Sequence, residues 1–166
     1  MAKSAYFLCF CTVLSAASIS GTKGLRPHAS RADYAVTCFT EDIGVGATLV
    51  KPEMVLRLFG EEVQKSYLVV EVGFYSKNRS VFEVRHADFR LRNRPSRKLV
   101  NVADPEMIAS TLSSPANWID KTLPQVPTSQ AVAGYLFFPI TEASASFYEL
   151  DYTGYGAWLT LPLRPE

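Results

Sequence analysis

The run YLVVEVGFY over residues 67–75 constrains this chain most. Leu68, Val70, Val72 and Phe74 fall on one face, while Tyr67, Val69, Glu71, Gly73 and Tyr75 fall on the other. A strand of this kind needs an apolar layer to cover its first face. After the polar turn SKNRS, the run VFEVRHADFRLR resumes the pattern with a slip. Phe82 and Val84 are even-numbered and Phe89 and Leu91 odd, so one unbroken strand cannot point all four at a core. The spacing therefore predicts a bulge or tight bend at Arg85, His86, Ala87 and Asp88, which gives His86 and Asp88 a structural reading ahead of any metal or catalytic one.

Further alternating runs carry Leu136, Phe138 and Ile140; Tyr148, Leu150 and Tyr152; and Leu159, Leu161 and Leu163, with two more around Tyr34 and Ala47. Thr153, Gly154, Tyr155 and Gly156 read as a hairpin turn, and Pro139 and Pro162 suggest strands that end early or lie at a sheet edge. Pro52, Glu53 and Gly60 frame one short helix with Met54, Val55, Leu58 and Phe59 as its apolar stripe. Asp104, Pro105 and Glu106 open a second, with Met107, Ile108 and Leu112 facing inward. The loop over 113–127 is expected to turn around Trp118. The chain is 166 residues long and 48% apolar, enough for one domain with a real core. The expected fold is mainly β: an immunoglobulin-like antiparallel β-sandwich of about seven strands with two short helices in its connections, spanning 33–166.

The first 20 residues place Lys3 ahead of an apolar stretch and then small residues, the order of a secretory signal peptide. Bulky Phe10 before Cys11 argues against lipidation at that cysteine. Residues 21–32 read as a flexible leader, with His28 solvated in it. No later apolar run approaches the roughly 18 residues of a membrane span, so no stable span is expected once the signal is removed. Lys plus Arg number 17 and Asp plus Glu 16, a balance that gives nucleic acid no electrostatic hold. Cys38 is expected to be buried and unpaired. The implied location is outside the cytoplasm: periplasmic, cell-envelope or secreted.

The helix ending in Leu58, Phe59 and Gly60, the stretch YLVVEVGFYSKNRSVFEVRHADFRLR with its Asp88, Phe89, Arg90, Leu91 element, then VPTSQAVAGYLFFPI and FYELDYTGYGAWLTLPL, together resemble a class of uncharacterised bacterial exported proteins with immunoglobulin-like sandwiches. The resemblance implies an envelope or secreted accessory protein and brings no catalytic residues with it. No nucleophile, phosphate-loop or metal motif is present, so no catalytic residue, metal or cofactor is expected. The candidate binding residues are Arg90, Arg92 and Arg94, whose parity opposes Phe89 and Leu91 and should form a stripe in solvent, and Tyr155 and Trp158 near the last hairpin. A solvated strand face is the plain alternative for the arginines. The expected function is a noncatalytic binding module, first for an envelope or extracellular protein and second for a polysaccharide. A hydrolase with a dispersed acidic site is the third reading.

Overall fold

The computed structural model describes residues 23–113, 116–141 and 147–164. The signal-peptide reading of residues 1–20 lies outside the described residues, as do 21–22 of the expected leader. The elements run β1 (Val36–Phe39), β2 (Ile43–Leu49), α1 (Pro52–Phe59), α2 (Glu61–Ser66), β3 (Tyr67–Ser76), β4 (Phe82–Glu83), β5 (Phe89–Asn93), β6 (Leu99–Asn101), α3 (Pro105–Thr111), β7 (Pro127–Thr128), β8 (Val132–Pro139), β9 (Tyr148–Tyr152) and β10 (Leu159–Leu163). Two four-stranded antiparallel sheets have the orders β1-β2-β3-β8 and β10-β9-β5-β6, and β4 pairs with β7 in a small ribbon.

The fold is mainly β, and its two sheets share one core. Val45, Val70, Val72, Phe74, Leu136 and Phe138 of the first sheet face Phe89, Leu91, Leu150, Tyr152, Leu161 and Leu163 of the second. Each such side chain stabilises by about 1.5–3 kcal/mol on leaving water. The strand order differs from that of an immunoglobulin constant domain, where the second and third strands lie in opposite sheets: here β2 and β3 are hydrogen-bonded neighbours. The parity slip takes the expected form. Phe82, Val84, Phe89 and Leu91 are all buried, and a 3-10 turn at His86–Asp88 makes the shift.

Among the described residues three α-helices form, one more than expected. α2 follows α1 across Gly60, whose φ of 91° ends the first helix and starts the second. Its sequence, EEVQKS, offers only Val63 as an apolar anchor, too little to announce a helix. The helices cover one half of the first sheet's outer face. Phe59 of α1 meets Trp118, Tyr135 and Phe137 edge-on at 5.6, 5.0 and 5.3 Å, with Val63, Val69 and Ile108 alongside. Trp118 leads into a 3-10 turn at Ile119–Lys121.

Residues 23–34 cover the other half, so the reading of 21–32 as a flexible leader needs correction over 23–32, and Tyr34, expected in a strand, instead precedes β1. The Leu25 amide donates to the Ala133 carbonyl at 2.7 Å, the Tyr75 hydroxyl donates to the His28 carbonyl at 3.0 Å, and His28 Nε2 lies 3.1 Å from Glu71 Oε1. The physical reason is a glycine pair. Gly46 and Gly73 are cross-strand partners, and a Cβ on either would fall inside the Tyr34 side chain. Their bare backbone is the slot that holds Tyr34, which is 5% exposed. A run of polar, Gly and Pro residues carries no periodicity, so only the glycines under it could have signalled its seat.

The sheet edges are treated differently. Along β8, Ala133, Tyr135 and Phe137 accept from the amides of Leu25, Leu123 and Ala103, so other segments of the chain occupy that edge. β10 is also an edge strand and carries Pro162, as the two prolines suggested. Ile140, expected on the β8 core face, lies past the strand end and is 39% exposed. Cys38 is free but half-buried on edge strand β1; with β2 on only one side, its thiol is less enclosed than expected.

Candidate functional site

No described segment covers the outer face of the second sheet as the helices and residues 23–34 cover the first. Alternation turns Arg90 and Arg92 of β5, Glu149 and Asp151 of β9, and Thr160 of β10 onto that face. Backbone register sets Arg90 opposite Asp151 and Arg92 opposite Glu149. Arg92 Nη2 reaches Asp151 Oδ2 at 2.6 Å, Arg94 Nε reaches Glu149 Oε1 at 2.7 Å, and the Thr160 hydroxyl donates to Asp151 Oδ1 at 2.8 Å. The Arg94 guanidinium also lies over the Phe147 ring, 5.3 Å from its centre. The arginine stripe is thus matched by a carboxylate stripe on the next strand. β9 lies 59 positions away in sequence from β5 at the Arg92–Asp151 pair, and spacing within one strand cannot reveal such a neighbour.

Arg90 differs from the other two. It is exposed and makes no ion pair or side-chain hydrogen bond among the described residues, because Asp151 opposite is engaged by Arg92 and Thr160. It lines an open cleft of about 530 Å³ with His86, Ala87, Asn101, Val102 and Gln125. His86 is fixed by the 3-10 turn: its amide donates to Gln125 Oε1 at 2.9 Å, and its Nε2 lies 2.9 Å from the Leu123 carbonyl. A carbonyl only accepts, so Nε2 carries the hydrogen. Burial lowers the His86 pKa and favours the neutral ring. Asp88 turns away to Arg85, 2.9 Å distant, so the His86 and Asp88 side chains serve separate contacts. Among the described residues no cluster of three or more His, Cys, Asp and Glu side chains could hold a metal.

The β9–β10 connection reverses at Tyr155 and Gly156, with φ of 51° and 67°, and the Ala157 amide donates to the Gly154 carbonyl at 2.9 Å. Positive φ at both central positions is the geometry of a tight hairpin turn. For a tyrosine it is a strained conformation, costing about 1–2 kcal/mol. Tyr155 is 45% exposed and Trp158 74%, whereas Tyr148 and Tyr152 enter the core. Burial pushes the Tyr152 hydroxyl pKa up to about 12. Gly154 keeps this turn close to the 3-10 turn, since a Cβ there would meet Tyr152 Oη and Asp88 Oδ2 at 2.5 and 2.7 Å. The five candidate residues therefore lie on β5, the turn that follows it and the last hairpin, while Asn101 and Gln125 join Arg90 only through the tertiary fold.

Comparison with models of protein families finds no match, and comparison with curated protein sequences finds none. Among solved structures, the chain is similar to a provisionally designated lipoprotein from Bacillus subtilis at 18% identity and a TM-score of 0.48, over 77% of this chain and 38% of that one. The chain thus spans well under half the length of that protein. A likeness at this level carries no inference about activity or location.

Proposed function

We propose that this chain is an exported, noncatalytic binding module of the cell envelope or extracellular space, and that its partner is a protein. The exported location rests on the charged, apolar and small-residue order of positions 1–20. The sandwich is immunoglobulin-like in architecture, with a connectivity of its own. Binding rests chiefly on one observation: Trp158 leaves 74% of its surface in water beside a tyrosine held at positive φ. Exposed Trp, Tyr and Arg are the side chains that anchor protein interfaces, and backbone strain is kept where the surrounding structure puts it to use. The Arg92 and Arg94 ladder then serves orientation, and the neighbouring sheet face supplies a rigid base.

The test compares capture of envelope or secreted proteins from the native host by the wild-type chain, Trp158→Ala, Tyr155→Gly, and a triple Arg90, Arg92, Arg94→Gln variant. Trp158→Ala is expected to keep stability within about 0.5 kcal/mol and to lose the captured protein through faster dissociation. Tyr155→Gly relieves strain while adding freedom to the unfolded chain, so its stability also stays within about 0.5 kcal/mol, and its capture falls. The triple variant should associate more slowly, with a weaker salt dependence. Undiminished capture by all three variants, each shown to be folded, would overturn the assignment. Retention on a polysaccharide matrix that vanishes in Trp158→Ala would move it to the carbohydrate reading.

A further inference from the structure

We infer that the Arg90 cleft is a subsite for a peptide carboxylate, an inference that rests on the protein-binding reading above and adds the chemistry of what is bound. The cleft brings one uncommitted cation together with carboxamides. Arg90 has no ion pair among the described residues, and its guanidinium presents a planar fork of donors that matches a carboxylate bidentately. Gln125 spends its Oε1 on the His86 amide, which leaves its NH2 group as the available donor. Asn101, cross-strand partner of Arg90, lines the same cleft and offers both a donor and an acceptor. These amides complement the peptide group that precedes a C-terminal carboxylate, and Ala87 and Val102 give an apolar floor of the size of a small side chain.

Two further groups sharpen the choice of ligand. With Nε2–H engaged at the Leu123 carbonyl, His86 Nδ1 is an acceptor on a neutral ring, suited to a peptide N–H. Asp104 also lines the cleft, with Oδ1 accepting from the Glu106 amide as the cap of α3, and its negative charge disfavours ligands with more than one anionic group. No Phe, Tyr or Trp lines the cleft among the described residues. An acidic sugar would want such a ring beneath its own face, so a peptide is the better match than a uronic acid.

The experiment is a titration of the full chain, followed by proton–nitrogen correlation spectra, with N-acetyl-alanyl-alanine, its C-terminal amide and galacturonate as separate probes. Expected are saturable shifts of the Gln125 side-chain amide and the Arg90 Nε–H with the free acid. The amide probe and galacturonate, and the acid with Arg90→Gln, should each bind about tenfold or more weakly, the scale of one charge-assisted bidentate contact. Arg90→Lys, which keeps the charge and loses the fork, should fall between. Equal response to the amide probe, unchanged binding by Arg90→Gln, stronger binding of galacturonate, or no saturable shift would each overturn the inference. If such a result came with partner capture that still depends on Trp158, the binding module would stand and only the carboxylate subsite would fall. If acid-selective binding survived while Trp158→Ala captured as well as wild type, the subsite would stand and the hairpin surface would fall.

Discussion

The two sheets of this molecule do opposite things with their outer faces. In the first, Val69, Tyr135 and Phe137 turn outward into a second hydrophobic layer closed by helices, and Gly46 and Gly73 turn outward under Tyr34. In the second, the outward positions of the two central strands β5 and β9 are charged and carry the Arg92–Asp151 and Arg94–Glu149 pairs, with Leu99 and Pro162 outward on the flanking strands. A face meant for more protein is apolar or made of glycine, and a face meant for water is laddered with charge. In this chain the outward-facing set, more than the inward one, distinguishes scaffold from surface, since both sheets supply the same kind of inward residues.

Substitutions on the covered sheet should cost most. Tyr34→Ala should cost about 3–5 kcal/mol, as for other large aromatic truncations, read from denaturant unfolding. Gly73→Ala should cost about 1–3 kcal/mol by overpacking the slot, and much of that cost should vanish in a Tyr34→Ala background. Plain additivity of the two would show that the slot does not couple the N-terminal segment to the sheet. On the open sheet, Arg92→Ala should cost about 1–3 kcal/mol, because Asp151 is 5% exposed and would lose its cation. Arg90→Ala should stay within about 0.5 kcal/mol. Similar losses for both arginines would mean that the three arginines are equivalent after all. The smallest effect belongs to His86. Its folded-state pKa is depressed, so below the ordinary value near 6.5 the unfolded chain binds the proton more readily, and stability falls as pH drops through that region. Above it the contribution is complete. His86→Gln should therefore show a shallower loss of stability between about pH 7 and pH 5, and parallel profiles would remove the effect.

Much of the scaffold is legible from local pattern. The parity slip between Val84 and Phe89 needs a bend, and Pro52 with Gly60 and Asp104 with Pro105 mark helix ends, because turns and caps depend on residues a few positions apart. Glu149 and Asp151 alternate with the core residues of β9, yet their pairing with β5 depends on the two strands being neighbours. The cleft is less legible still: His86, Arg90, Asn101 and Gln125 come from a turn, two strands and a loop, and no spacing relates them. Residues 23–34 misled for another reason. Their sequence lacks an apolar period because they bind through backbone groups, the His28–Glu71 pair and one tyrosine, and the complementary signal sits on other strands, in Gly46 and Gly73.

The strand edges govern how the molecule behaves at high concentration. Fibrillar growth by strand addition requires every molecule to offer two free edges, one to accept and one to extend. Among the described strands, β8 has its outer carbonyls taken by the chain's own Leu25, Ala103 and Leu123, and β10 lacks a donor at Pro162. β6 is three residues long, too short to template a sheet. The remaining edge, β1, lies against β10 of the other sheet. Each edge of the two four-stranded sheets is therefore occupied, interrupted by proline, short or covered by the other sheet, so strand addition finds no long free edge from which to start.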